Sequence, residues 1–196
     1  MKTGRIVLIV IVVIIVLLGF RGCNGYNSLV SLNEQVSRDW SNVENVYQRR
    51  ADLIPNLVNT VKGYAEHEQE TFTQVVEARS KATQVTIDAS NMTDEDLQRF
   101  QAVQGEVSSA LSRLLAIAEN YPDLKANQNF LELQSQLEGT ENRIAVERRN
   151  FNTTTQQYNS AVKRFPTVIF AGWFGFKERP YFEAQEGTEQ APVVQF

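Results

Sequence analysis

The chain has 196 residues and a net charge of −4, from 19 basic and 23 acidic side chains, with one cysteine and one histidine. An acidic chain without a basic stripe is a poor nucleic-acid binder, and a single cysteine excludes an internal disulfide and a thiolate metal cluster. We therefore expect neither a nucleic-acid partner nor a cofactor.

An unbroken apolar run of 15 residues follows Arg5. As a helix it would be about 22 Å long, against roughly 30 Å of hydrocarbon, and flanking arginines can extend its reach to both interfaces. The alternative is a signal-peptide core or a lipoprotein signal before Cys23, to which Arg21 is a poor fit. We predict a permanent transmembrane helix. Its residues are Ile6, Val7, Leu8, Ile9, Val10, Ile11, Val12, Val13, Ile14, Ile15, Val16, Leu17, Leu18, Gly19 and Phe20.

Charges on the two sides of this run predict its orientation. Lys2, Arg5 and the α-amino group precede the run, whereas only Arg21 follows it closely. The positive-inside rule then places the N-terminus in the cytoplasm and the rest of the chain on the outer side of the membrane.

Heptad-spaced apolar residues beyond residue 28 are typical of packed helices, and Pro55 raises the main question of topology. One continuous helix through Pro55 and a break near Asp52 both fit the pattern. We favour the break. An unbroken helix would leave its first apolar third without a partner and would carry the C-terminal aromatic residues far from the membrane. A break instead gives four antiparallel helices that bury every apolar stripe.

Two further helices are predicted downstream. The third begins at Thr93, the N-cap of a capping box with Asp96, and ends at Pro122. The fourth opens near Asn127 and carries a column of large side chains spaced by seven residues, as in a helix packed like a coiled coil. This column is Phe130, Leu137, Ile144, Phe151, Tyr158 and Phe165.

These elements define the predicted layout. The fold is all-α: an anchor (residues 1–21), a short linker (22–27) and an antiparallel, up-and-down four-helix bundle (28–165). An aromatic-rich segment (166–182) follows the bundle. The polar tail (183–196) is predicted to be disordered.

Few residues suggest chemistry. His67 begins a stretch that resembles a zinc-protease helix, but Thr71 stands where the second histidine belongs, so we expect no metal site and no catalytic residue. Four charged residues fall on the packing columns and should pair across helices, because burying them singly is costly. We expect them to fix helix register, with a proton or metal site as the alternative. This predicted polar core network is Arg50, Glu68, Glu141 and Arg148.

Two apolar groups are predicted to contact partners. Exposed residues of the first helix suit self-association into a homo-oligomer. The aromatic segment is uncharged from Pro166 to Phe176 and too short to span a bilayer. It suits docking at the membrane interface, or capping of the bundle or of a neighbouring subunit. The candidates are Leu32, Val36, Trp40 and Val43 on the helix, and Phe170, Trp173, Phe174 and Phe176 in the segment.

The stretch Arg49–Val58 and several shorter motifs in the same order resemble the LemA family. The shorter motifs are Tyr26–Val30, Trp40–Val43, Val61–Glu68, Ala78–Arg79, Tyr121–Pro122, Thr140–Ile144 and Phe165–Lys177. The resemblance implies a single-pass membrane protein with a four-helix domain, no established catalytic residue, and a role beside other membrane proteins of the bacterial envelope.

We therefore expect a non-enzymatic scaffold of the bacterial cell membrane, with its helical domain on the periplasmic or extracytoplasmic side. Its expected partners are membrane lipid, further copies of itself and other envelope membrane proteins. The alternative is a ligand- or metal-sensing bundle that works with a membrane partner.

Overall fold

The computed structural model describes residues 2–183, without the side chains of residues 2, 3, 5, 11 and 14–23. Within this range every regular element is helical, which confirms the all-α prediction. No helix in the described part of the chain is both long enough and apolar enough to cross a membrane. The predicted tail lies outside the described residues apart from Glu183. The helices are α1 (Lys2–Lys62), α2 (Gln69–Gln84), α3 (Asp94–Ala118), α4 (Pro122–Lys125), α5 (Gln128–Lys163) and α6 (Thr167–Phe174).

Two predictions about the first helix are wrong. α1 is 61 residues long and continues through Pro55 without a break. The predicted linker, residues 22–27, is part of this helix. Proline has no N–H, so the carbonyl of Ala51, four residues earlier, loses its helical donor. Arg79 of α2 replaces that donor: its Nε donates to the Ala51 oxygen at 2.7 Å. The chain reverses instead between α1 and α2, at residues 63–68.

This replacement predicts an energetic coupling between Arg79 and Pro55. Arg79→Met should lower the free energy of unfolding by about 1.5–2 kcal/mol, because a charged donor to a buried carbonyl is lost. In a Pro55→Ala background the loss should be smaller, since the new N–H can bond the Ala51 carbonyl. Urea unfolding of the four proteins in the double-mutant cycle measures the coupling. Equal losses in both backgrounds would show that Arg79 stabilises the fold through another contact.

The start of α3 has the predicted capping box. Thr93 Oγ1 accepts from the Asp96 N–H at 3.2 Å, and Asp96 Oδ2 accepts from the Thr93 N–H at 3.1 Å. The hydroxyl of Thr93 also donates to Asp96 Oδ2, at 2.7 Å. This hydroxyl bond is the main cause that holds the pKa of Asp96 below its ordinary value of 3.8. The capping prediction is confirmed.

Thr93→Ala is expected to lower the free energy of unfolding by about 1 kcal/mol at neutral pH. The pKa of Asp96 is lower in the folded state than in the unfolded state. The ionised carboxylate therefore stabilises the fold fully when the pH is above the unfolded-state pKa, and this stabilisation is lost as the pH falls through the folded-state pKa. The difference between wild type and variant should therefore shrink in acid. Urea unfolding at pH 7 and at acidic pH tests this, and a difference that grows in acid would contradict it.

The described residues form two compact units, and the first comprises residues 2–47, 88–91 and 143–179. In it α1 and α5 run antiparallel: Thr154 Oγ1 donates to Asp39 Oδ2 at 2.6 Å, and the rings of Trp40 and Phe151 meet edge to face at 5.7 Å. The second half of α5 therefore covers the first apolar third of α1. The core of this unit includes Leu29, Val36, Trp40, Val43, Ile144, Phe151, Tyr158 and Val162.

This pairing corrects two expectations about α1. Val36, Trp40 and Val43 were expected on the surface but are buried within the protomer, and Leu32 is half-buried. The continuous helix also does not separate the aromatic segment from the N-terminal part of α1, because α5 returns alongside it.

The second unit comprises residues 48–87 and 92–142 and the segment that begins at Pro180. Its core is formed by apolar side chains of α1, α2, α3 and α5, among them Ile54, Leu57, Val61, Phe72, Val75, Val107, Leu111, Leu114, Phe130 and Leu137. The heptad column of α5 is buried at five of its six positions across the two units. Phe165 is 76% exposed, because α5 ends at Lys163.

Candidate functional site

Arg50 is a buried cation in the second unit, with a side chain that is 2% exposed. Its Nη1 donates to Ser108 Oγ at 2.8 Å and to Glu141 Oε1 at 2.9 Å. Its Nη2 donates to both oxygens of Gln104, the carbonyl at 3.1 Å and Oε1 at 2.5 Å. One guanidinium thus joins α1, α3 and α5. An arginine keeps its proton in proteins, so this arrangement suits a fixed register better than proton transfer.

The predicted polar core network is only partly assembled by these hydrogen bonds. The structure brings Arg50 and Glu141 together, whereas Glu68 lies half-buried just before α2 and Arg148 lies half-buried one heptad beyond Glu141. Neither is a partner in the hydrogen bonds above. Sequence reasoning did not find Gln104, although a signal was present, since it interrupts an apolar heptad column. The column is Leu97, Gln104, Leu111 and Ala118.

In the first unit Arg179 holds the segment that follows α6. The side-chain amide of Asn159 pairs with its backbone, accepting from the Arg179 N–H and donating to its carbonyl, both at 2.8 Å. The Arg179 guanidinium donates to the carbonyl of Ala89 at 2.5 Å and to Asn33 Oδ1 at 2.8 Å. This one residue therefore connects α1, α5 and the loop before α3.

Tyr158 adds a buried phenol to this part of the unit. Burial raises its pKa, while the charge and hydrogen bond of Arg179 act in the opposite direction. The phenol consequently stays protonated at neutral pH.

α6 forms the first half of the aromatic segment. Its inner face lies on α1: the Phe174 and Tyr26 rings are 4.8 Å apart, and a Cβ placed on Gly25 would lie 3.9 Å from Thr167 Oγ1. Gly175 ends the helix in a left-handed conformation, φ 77°, which glycine adopts without strain. The predicted interface residues divide by exposure: Trp173 and Phe174 are exposed, whereas Phe170 and Phe176 are half-buried.

The remaining candidates give no reactive grouping in the described residues. His67 is exposed in the turn between α1 and α2. Among the side chains that the structure describes, no three from His, Cys, Asp or Glu lie close enough together to hold a metal ion. A groove between α2 and α3 is open to solvent and is lined by charges of both signs, including the ion pair of Lys81 with Glu106 at 3.2 Å.

The sequence profile of the LemA family matches residues 39–196. The chain belongs to the LemA family. Its similarity to curated relatives extends further toward the N-terminus. Magnetosome protein MamQ of Magnetospirillum gryphiswaldense is 26% identical in an alignment 186 residues long. This alignment covers 86% of this chain and 68% of the relative. Protein LemA of Metamycoplasma hominis is 23% identical in an alignment 160 residues long, which covers 82% of this chain and 69% of the relative.

The motifs by which this LemA-family chain resembles its family contain the residues of two tertiary contacts. Arg49–Val58 includes Arg50 and Pro55, and the short motifs downstream include Arg79 and Glu141. In the structure Arg50 holds α1 to α3 and, through Glu141, to α5, while Arg79 holds α2 to α1. The motifs therefore specify how the helices of this LemA-family chain are joined.

Proposed function

We propose that this LemA-family protein is a membrane-anchored, non-enzymatic scaffold of the bacterial envelope that acts through protein–protein association. The observation that carries the proposal is the continuity of α1, which places the apolar run of residues 6–20 and the buried face around Trp40 on one helix. A partner bound to these helices would be held beside the membrane, where tethering raises its effective concentration.

The use of the polar residues supports a structural role. The guanidinium groups of Arg50 and Arg179 donate to backbone and side-chain oxygens of the protein itself. A sensing bundle would offer such groups to a ligand. For this reason we favour the scaffold over the ligand- or metal-sensing alternative.

The proposal includes an orientation, with the N-terminus in the cytoplasm and the helices that follow the anchor outside. Cysteine labelling in a Cys23→Ser background tests this orientation. The labelled position is Ser28→Cys, which is exposed and lies just beyond the apolar run. Ser28→Cys should react with a membrane-impermeant maleimide in intact cells, whereas Lys2→Cys should react only after lysis. The reverse pattern would invert the orientation.

Scaffolding itself is tested by association in the native membrane. Chemical crosslinking of cells that express the full chain, followed by mass spectrometry, should yield crosslinks between copies and to other envelope membrane proteins. Light scattering of the full chain in detergent should give a mass above that of one chain. A strict monomer that crosslinks to no membrane protein would refute the scaffold.

A further inference from the structure

α6 exposes apolar side chains on one face. Val168, Ile169, Gly172 and Trp173 fall within an arc of about 140° at 100° per residue. Trp173 is 77% exposed, and Phe165, just before the helix, is 76% exposed. Exposed aromatic side chains of this size on adjacent turns are a marker of an interaction surface.

The position of α6 on α1 indicates which partner this face meets. Ala171 is buried on the opposite face, and the contacts of Phe174 and Thr167 place α6 beside Tyr26 and Gly25. Gly25 follows Phe20, the last residue of the apolar run, by five residues, or about 8 Å of helix. The headgroup layer on each side of a bilayer is about 5–8 Å thick. A membrane that holds the run therefore brings its headgroups to the level of α6.

The charges around α6 agree with this placement. No charged residue occurs from Pro166 to Phe176, and the basic residues Arg164 and Lys177 flank this stretch and are exposed. The neighbouring acidic residue, Glu178, is paired with Lys163 at 2.7 Å. An apolar, tryptophan-bearing face between exposed cations is the pattern of a helix that lies in the membrane–water interface, because the cations meet anionic headgroups.

We propose that α6, with Phe165, is an interfacial membrane element that inserts the face formed by Val168, Ile169 and Trp173 into the headgroup region of the bilayer. The inference rests on the proposed membrane anchoring. It adds a second point of lipid contact to α1, and two contacts restrict rotation about the α1 axis where one does not.

The test uses the full chain reconstituted into vesicles of phosphatidylethanolamine and phosphatidylglycerol, with phosphatidylcholine brominated on its acyl chains as quencher. The protein has two tryptophans, and Trp40 is buried in the core. Subtracting the emission of Trp173→Phe from that of wild type isolates Trp173. Trp173 should lose most of its emission, and bromines near the headgroup should quench more strongly than bromines near the chain end.

A matched control places a tryptophan elsewhere on the same unit. Val146 is 48% exposed on α5, 17 residues or about 25 Å of helix before Lys163. Val146→Trp in the Trp173→Phe background should keep its emission in brominated vesicles. Equal quenching at both positions would remove the support for a specific interfacial face.

Vesicle flotation separates the failure of this inference from the failure of anchoring. A chain that floats with vesicles while Trp173 is not quenched would overturn the interfacial helix and leave the anchor in place. In a Cys23→Ser background, crosslinking of Trp173→Cys to a second copy in those vesicles would likewise overturn it and assign the face to protein contacts. A chain that does not float would overturn the anchor and with it both proposals.

Discussion

Replacing Arg50 with methionine is expected to lower the free energy of unfolding by about 3–5 kcal/mol, because several hydrogen bonds of one buried cation are lost together. The guanidinium is buried and bonds Ser108, Glu141 and both oxygens of Gln104. A hydrogen bond to a charged group contributes about 1.5–3 kcal/mol, and the buried Gln104 has little access to water as a substitute donor. Methionine also leaves the guanidinium volume empty. Urea unfolding monitored by circular dichroism measures the loss.

The matched control is Glu141→Gln. Its amide oxygen can still accept from Nη1, and the Glu141 side chain is 44% exposed, so water can compensate part of the change. We expect a loss of about 1 kcal/mol. If Arg50→Met unfolds at the same urea concentration as wild type, the cluster does not hold the helices in register.

Replacing Trp40 with alanine is expected to cost about 3–5 kcal/mol, as large-to-small changes at buried aromatic positions do. Trp40 is buried and packs edge to face on Phe151, which is itself fully buried. Thermal and urea unfolding should both show the loss.

This prediction also separates a core role for Trp40 from an interface role. A core residue lowers stability when truncated, whereas an interface residue dissociates copies that stay folded. Leu32→Ala, at a half-buried position on the same helix, is the control and should cost less. If Trp40→Ala dissociated the copies without loss of helicity, Trp40 would be an interface residue.

The features predictable from the sequence are local ones. The all-α class follows from heptad periodicity, and the start of α3 follows from Thr93 and Asp96, three residues apart. The pairing of buried charges was expected from the cost of burying them singly, and the structure places Arg50 and Glu141 2.9 Å apart. Which neutral residues complete the cluster was not predictable from charge, although the place of Gln104 on an apolar column indicated burial.

The errors concern partners that are distant in the sequence. Pro55 indicated a helix end, because its helical cost is local and the compensating donor, Arg79, is 24 residues away. Trp40 indicated an exposed stripe, because the ring that packs on it, Phe151 of α5, comes more than 100 residues later. In both cases the deciding contact is made by a residue far away in the sequence, which a local pattern does not reveal.

The contact of Arg79 with Ala51 has a consequence for the order in which the chain folds. During synthesis α1 emerges before α2. The Ala51 carbonyl therefore has no donor until Arg79 of α2 reaches it. Helix formation is cooperative, and an interruption in the hydrogen-bond ladder lets the segments on either side fray independently. The last turns of α1 and the docking of α2 should therefore become ordered in one step. Hydrogen exchange would detect this as shared protection of the amides after Pro55 and those of α2.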